Sequence, residues 1–256
     1  MSEPKKIIGT NRKKPWVNPE VSINKNGISG KERLEKKGDI DSGMTPAQKR
    51  KVYEIETRQA DNYNEHSVAI DDRGRIVGQS VNDTHKSSGW IVPPIGPYVR
   101  THNHPDLEED MRGAINNLLN SNGRKSVAKT IAGNIGIPVS YADISNTVKW
   151  GNKEVRARSG NFVFSVRNPN GAGKPNPQLA DKIKKDWEKA AAPDKKEEAM
   201  GKKALEQFMR NPTEATARRL LEVGSRINTV CAHRATKAVC KKYGLVYTRK
   251  RVRNNK

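Results

Sequence analysis

The chain has 256 residues, of which 33% are hydrophobic and 5% aromatic, and it carries a formal net charge of +21. Its mean hydropathy is −0.89, and no stretch approaches a run of about 18 apolar residues, which a membrane-spanning helix needs. Residues 1–14 are charged but lack the apolar segment of a secretory signal, so we expect neither export nor a membrane partner.

The two cysteines, Cys231 and Cys240, lie nine positions apart in a helical pattern. At about 100° per residue, this spacing places them on opposite faces of a helix. We therefore expect neither a mutual disulfide nor a shared metal ion. Buried thiols of this kind are typical of a reducing, cytoplasmic compartment.

Residues 1–44 show little periodicity and are rich in Lys, Asn, Gly and Pro, which predicts a basic arm that is extended or disordered. Thr45 and Pro46 then form a helix start, with Thr at the N-cap and Pro at the first helical position. This helix should run to about residue 60, where the apolar pattern stops.

Two histidines lie one residue apart, at His102 and His104, after a β-prone run at 97–101. Side chains two positions apart on a strand point to the same face, so both imidazoles can bind one metal ion. Pro105 lacks the N–H that a strand ladder needs, so the strand should end at a sheet margin where a site can open. The alternative is a solvent-exposed turn that carries two histidines.

Hydrophobic periodicity and turn residues predict the remaining elements. In chain order these are a hairpin of 64–70 and 75–78, a helix over 107–120, a weaker helix over 125–133, a helix that begins at Ser140, a hairpin of 153–157 and 161–166, and helices between 178 and 243 that break at Pro193 and Pro212 and stop at Gly244. A turn-rich stretch at 168–175 separates a domain over 45–170 from a helical region over 176–248 that should pack on it.

A metal ion bound by two histidines needs an anionic ligand and an open position for water. Asp143 is the best candidate for the anionic ligand. Ser140 and Asp143 also form the pattern of a helix capping box, so a purely structural role stays open for both residues. Glu65 precedes the first β-prone run, and the three features follow one another as Glu, His-x-His-Pro and Ser-x-x-Asp.

This ordered set resembles the JAB/MPN (JAMM) metalloprotease superfamily. The chain looks most like the RadC-like proteins and the JAB-like domains of phage head-morphogenesis proteins. The resemblance covers about residues 64–250 and is carried by Glu65-His66, Val68–Asp71, Thr101–Pro105, Ser140–Ile144, 156–166 and 233–247.

The resemblance implies an α/β (α+β) fold, with a mixed sheet flanked by helices. It also implies a zinc ion held by His102, His104 and Asp143, with water as the fourth ligand. Glu65 would be the general base, and Ser140 would stabilise the tetrahedral intermediate of a peptidase or isopeptidase that acts on a polypeptide substrate. Zinc lowers the pKa of bound water to about 7, and a carboxylate outside the ligand set can then move the proton.

The chain departs from the family pattern between the two halves of the site. Residues 105–139 separate His104 from Ser140, where the family has a short loop, and Asp106-Leu107 replaces its usual Ser-Gly pair. The segment 106–139 is predicted to be a helical insert, which either forms a lid or docking surface or displaces Ser140 and Asp143 from the histidines. The pattern assigns no role to His66 and His85, which we expect at the surface or in support of the site.

Three other functions fit parts of the sequence. A nuclease would suit the positive charge, although the nuclease family named for its His-Asn-His residues disperses them over a ββα unit. A non-catalytic phage virion or head-morphogenesis protein would keep the fold, be virion-associated, and have nucleic acid and phage structural proteins as partners. A toxin module is the third, since JAB-like domains also occur in secreted bacterial effectors.

Residues 223–256 contain many Lys and Arg residues and no acidic residue. Their end, 249–256, is predicted to be a flexible basic tail that binds nucleic acid without sequence preference, through phosphate contacts of Arg249, Lys250, Arg251 and Arg253.

Overall fold

The computed structural model describes residues 40–41, 43–59, 64–80, 89, 94–104, 107–120, 140–159 and 162–251. The strands of this part of the chain are β1 (Ser67–Ile70), β2 (Ile76–Gln79), β3 (Val99–His104), β4 (Glu154–Ser159), β5 (Phe162–Arg167) and β6 (Val246–Arg251). The helices are α1 (Pro46–Gln59), α2 (Leu107–Asn120), α3 (Tyr141–Lys149), α4 (Pro177–Ala190), α5 (Lys195–Arg210) and α6 (Glu214–Tyr243).

The six strands form one mixed sheet in the order β2-β1-β3-β4-β5-β6. Neighbouring strands are antiparallel except β3 and β4, which are parallel. Helices pack on both faces of this sheet, which confirms the predicted mixed α/β class. No helix of the described residues is long and apolar enough to cross a membrane.

Local signals place most element boundaries. The backbone N–H of Gln48 donates to Thr45 Oγ1 at 3.1 Å, and the N–H of Thr45 donates to Gln48 Oε1 at 3.2 Å, so α1 begins where its cap was predicted. Both predicted hairpins are confirmed as β1–β2 and β4–β5. Gly244 ends α6 in the left-handed conformation, with φ +67°, which Gly adopts at little cost.

The larger hydrophobic core lies between α3, α4 and α6 and one face of β4, β5 and β6. A second cluster joins α2 to α5 and α6 through Met111, Ile115 and Leu118. The apolar side of α2 is therefore used in packing against the C-terminal helices. The predicted helix over 125–133 lies outside the described residues. Cys231 and Cys240 are both buried free thiols.

The opposite face of the sheet carries α1 and a buried ionic network around Arg156. Its Nε and Nη2 atoms donate to the two carboxylate oxygens of Glu56 at 2.6 and 3.2 Å. Its Nη1 donates to Glu154 Oε1 at 3.1 Å and to Asp41 Oδ1 at 3.4 Å. Because Arg156 is 1% exposed, its charge is balanced by these carboxylates rather than by water.

The predicted arm over 1–44 is wrong at its C-terminal end. Ile40 and Asp41 are buried, and the Asp41 carboxylate accepts hydrogen bonds from Arg156 and Tyr53. The sequence does not reveal this burial, because the ion pairs of Asp41 with Arg156 and Lys250 join it to residues far away in the chain. The rest of the predicted arm, residues 1–39, lies outside the described residues.

The predicted flexible tail over 249–256 is also wrong for its first three residues, which belong to β6. The backbone of β6 pairs with β5, with Arg249 opposite Phe164 and Arg251 opposite Phe162. Lys250 points to the α1 face, where its Nζ lies 2.9 Å from the hydroxyl of Tyr53. The basic side chains of 249–251 predict a solvated chain end, but the backbone of these residues is ordered because it pairs with β5. Arg253 and the rest of 252–256 lie outside the described residues.

Removal of Glu56 tests the ionic network. We expect Glu56→Ala to lower the free energy of unfolding by about 3–5 kcal/mol, because a buried guanidinium loses its two-point partner. Urea denaturation followed by circular dichroism measures the change. Glu54→Ala is the control on the same helix, because the ion pairs of Glu54 with Lys51 and Arg58 are exposed, and it should leave the midpoint nearly unchanged. Equal midpoints for the two variants would show that the buried ion pair of Glu56 with Arg156 stabilises the fold no more than the exposed ion pairs of Glu54 do.

A second prediction concerns acid stability. His233 is half-buried beside Phe164, and its Nδ1 contacts the Tyr247 hydroxyl. Burial, with the positive charge of Arg249, lowers the pKa of His233 to about 4. The unfolded chain therefore binds more protons as the pH falls below about 6.5, and the native state loses about 2 kcal/mol by pH 5 through this group. Urea unfolding at pH 7.5 and at pH 5 measures this loss of stability. Between these two pH values, His233→Asn should lose about 2 kcal/mol less than the wild type. An identical pH dependence in both proteins contradicts the assignment.

Candidate metal centre

The alternation of β3 divides its side chains between the two faces of the sheet. Arg100, His102 and His104 share one face, and Thr101 and Asn103 share the other. Thr101 donates to Glu56 on the α1 face, at 3.2 Å between oxygens, so the histidines lie on the face that carries α3, α4 and α6. The predicted strand with two histidines on one face is confirmed.

Helix α3 brings a carboxylate to the two imidazoles. His102 Nε2 lies 3.1 Å from His104 Nε2 and 3.5 Å from Asp143 Oδ1. One ligand atom from each of the three residues lies within 4.8 Å of the others, so the group could hold a metal ion. The intervening segment 105–139 therefore does not displace Asp143 from the histidines.

The two donor distances from His102 Nε2 fit a small metal ion. Ligand atoms at the corners of a tetrahedron with bonds of about 2.0–2.1 Å lie about 3.3 Å apart. The two short separations around His102 Nε2 lie on either side of that value, at 3.1 and 3.5 Å. Two imidazoles and one carboxylate leave a position for water or substrate, which suits Zn²⁺ and also Fe²⁺.

Asp143 forms the predicted capping box and also turns one carboxylate oxygen towards the histidines. Its Oδ2 accepts hydrogen bonds from the Ser140 N–H at 3.0 Å and from Ser140 Oγ at 2.8 Å, and Ser140 caps α3 in return. The other oxygen, Oδ1, faces His102. The capping box therefore fixes the rotamer of the carboxylate while leaving one oxygen for the site.

The electrostatics of the group favour metal binding. Burial lowers the pKa of His104 to about 4, helped by neighbouring His102, so this imidazole is neutral at pH 7 and offers a lone pair. Burial alone would raise the pKa of the Asp143 carboxyl. The two histidines and the hydrogen bonds from Ser140 outweigh burial and hold that pKa below its ordinary value. Neutral imidazoles and an ionised carboxylate are the forms that bind metal.

Glu65 approaches the same face from β1. Ser67 lies opposite His102, so extension of this antiparallel register by two residues places Glu65 alongside His104. Glu65 is half-buried. Burial lowers the pKa of the Arg100 guanidinium, and the charges of Asp143 and Glu65 oppose that effect. Arg100 therefore lies near both carboxylates. Sequence reasoning did not single out Arg100, although its position two residues before His102 puts it on the same face.

Asn103, between the two histidines, holds the chain on both sides of Glu65. Its Nδ2 donates to the carbonyl of Asn64 at 3.0 Å, and its Oδ1 accepts from the N–H of His66 at 2.8 Å. Gln59 of α1 donates to the His66 carbonyl at 2.9 Å. Asn103 is 1% exposed, so these bonds are shielded from water. The residue between the histidines thus fixes the backbone that carries Glu65.

The structure sorts the remaining predicted residues. The His66 ring contacts Ser80 Oγ at 3.2 Å. His85 lies outside the described residues. Arg249, Lys250 and Arg251 lie on the far edge strand β6, separated from β3 by two strands. Comparisons of the chain with protein-family models, with curated proteins and with solved structures find no match.

The role of Asn103 can be tested without a substrate. We expect Asn103→Ala to destabilise the fold by about 1–3 kcal/mol, because the buried His66 N–H loses its acceptor. Hydrogen exchange should show the amide of His66 losing protection. The matched variant Asn103→Asp keeps an acceptor for this amide and should preserve its protection. Both variants should keep metal binding, since the Asn103 side chain lies on the opposite face from the imidazoles. Unchanged exchange of the His66 amide in Asn103→Ala would show that Asn103 does not hold the backbone next to Glu65.

Proposed function

We propose that this chain is a zinc-dependent hydrolase of the JAMM type, a peptidase or isopeptidase with a polypeptide substrate. The observation that carries the proposal is the convergence of His102, His104 and Asp143, with Glu65 on the same sheet face. The ordered motifs that resemble the JAB/MPN superfamily support it. The phage or bacterial setting rests on that resemblance alone.

In this proposal the metal ligands and the base are separate residues. His102, His104 and Asp143 hold the zinc ion, which when bound supplies an acidified water and polarises the scissile carbonyl. Glu65 lies outside the ligand set, accepts the proton of that water and returns it to the leaving amine. The hydrogen bonds of Asn103 to the backbone of Asn64 and His66 keep Glu65 at the site.

Ser140 has two tasks that compete for its hydroxyl. Its Oγ donates to Asp143 Oδ2 at 2.8 Å, which orients the carboxylate. Stabilisation of a tetrahedral intermediate requires the same hydroxyl to turn towards the substrate oxygen. The backbone N–H of Ser140 also donates to Oδ2, at 3.0 Å, so Asp143 stays oriented while the hydroxyl turns.

Metal analysis tests the proposal. We expect the purified protein to bind about one Zn²⁺ per chain and His104→Ala to bind none, because two ligands no longer hold the ion. Elemental analysis after loading with equal Zn²⁺ and Fe²⁺ under anaerobic conditions identifies the preferred metal. His233→Asn is the control, since it removes a histidine outside the group. Equal metal in wild type and His104→Ala overturns the site.

Glu65→Gln separates metal binding from chemistry in the same experiment. The substitution is nearly isosteric and should leave the metal content unchanged. We expect hydrolysis of an amide or isopeptide substrate to fall by about 10²–10⁴-fold, because the amide cannot accept the proton. Full turnover by Glu65→Gln would exclude Glu65 as the base. A zinc-loaded wild type that hydrolyses no amide or isopeptide would favour the non-catalytic alternative.

A further inference from the structure

Two rows of side chains cross the sheet on the face of the candidate metal centre. The strand registers place these residues side by side, from β3 to β6: His102, Ala157, Phe164 and Arg249 in one row, and His104, Ser159, Phe162 and Arg251 in the next. Residues opposite one another on paired strands project from the same face. The two arginines at the edge of the sheet therefore share a face with the two histidines.

The distance between these groups follows from the spacing of strands. Three steps of about 4.8 Å separate β3 from β6, so the backbone of Arg251 lies about 14 Å from that of His104. An extended polypeptide advances about 3.3–3.6 Å per residue, so about four residues span this distance. The separation of the backbones of His104 and Arg251 therefore matches the length of about four extended residues.

The charge of the two arginines is available to a ligand. Both side chains are exposed, and no carboxylate among the described residues forms an ion pair with either of them. Lys250, between them, points to the other face and lies 3.5 Å from Asp41 Oδ2. The Arg249 guanidinium lies 5.5 Å from the centre of the Phe162 ring, which holds it along the row that leads to the histidines.

We propose that Arg249 and Arg251 form an anion subsite of the candidate metal centre. This subsite, which rests on the proposed function, binds acidic side chains of a polypeptide substrate about four residues from the scissile bond. Side chains at i and i+2 of an extended peptide share a face with the same spacing as Arg249 and Arg251, so two carboxylates can pair with two guanidinium groups.

An acidic polypeptide suits this surface better than a nucleic acid does. Binding of single strands relies on exposed aromatic rings that stack on bases. Phe162, the aromatic residue beside Arg251, is 8% exposed and packs in the core. The predicted nucleic-acid contacts were Arg249, Lys250, Arg251 and Arg253, but the described part of β6 presents only Arg249 and Arg251 to this face, with Lys250 on the other.

The affinities of fluorescent peptides with a C-terminal hydroxamate test the subsite. The hydroxamate binds the metal, and two Glu residues at i and i+2 are placed from about two to about eight residues away, in an otherwise Gly/Ser peptide. Fluorescence anisotropy with the zinc-loaded full chain gives the affinities. We expect a maximum near four residues, about three- to tenfold above that of the Gln-substituted peptide, as for two exposed ion pairs.

The double variant Arg249→Gln/Arg251→Gln should lose this maximum while keeping the affinity for the Gln-substituted peptide. Lys202→Gln/Lys203→Gln is the matched control, because it removes two exposed charges on α5 and should preserve the spacing profile. Arg251→Gln alone, which leaves the contact of Arg249 with Phe162, should lower the maximum partly. Thermal unfolding of each variant verifies that it is folded.

The outcomes separate the subsite from the proposed function. If no hydroxamate binds to the zinc-loaded wild type, both proposals are overturned. Hydroxamate binding with no dependence on the acidic residues leaves the metal centre intact and overturns the subsite. The subsite is also overturned if labelled duplex DNA binds through Arg249 and Arg251 while the peptide profile stays flat, since the arginines then form a phosphate-binding surface.

Discussion

The fold depends on the ionic contacts of one buried side chain, Arg156. A guanidinium removed from water is costly unless carboxylates surround it, and here they come from α1, from β4 and from the segment before α1. The same Asp41 carboxylate contacts Lys250 of β6. The network therefore joins the first and last described parts of the chain to the middle of the sheet.

This network orders the α1 face, and the site is built on the opposite face. Glu56 contacts Thr101 of the histidine strand, and Gln59 of the same helix holds the backbone next to Glu65. On the other face, apolar packing of α3 between the sheet and α4 carries Asp143 to the imidazoles. The candidate metal ligands and the proposed base are thus positioned by two different kinds of interaction that share one strand.

The sequence predicted which residues belong to the candidate site, but not that folding brings them together. Two-residue periodicity placed His102 and His104 on one face, and the capping pattern placed Ser140 and Asp143 at a helix start, because both rules act over a few residues. Nothing local determines whether a carboxylate after the segment 105–139 returns to the histidines. Arg100 and Asn103 were overlooked for a similar reason, since their roles depend on residues of α3 and of the chain before β1.

The sequence by itself determined the helices, the hairpins and the sites where they begin and end, because periodicity, caps and turn residues are short-range properties. Only the tertiary structure decided which strands become neighbours. The parallel pairing of β3 with β4 joins segments that α2, α3 and the residues between these helices separate in the chain, and β6 becomes a strand because β5 offers an edge. Lys250 and Asp41 lie 209 positions apart in sequence, and their charges come within 3.5 Å of each other only when the chain folds.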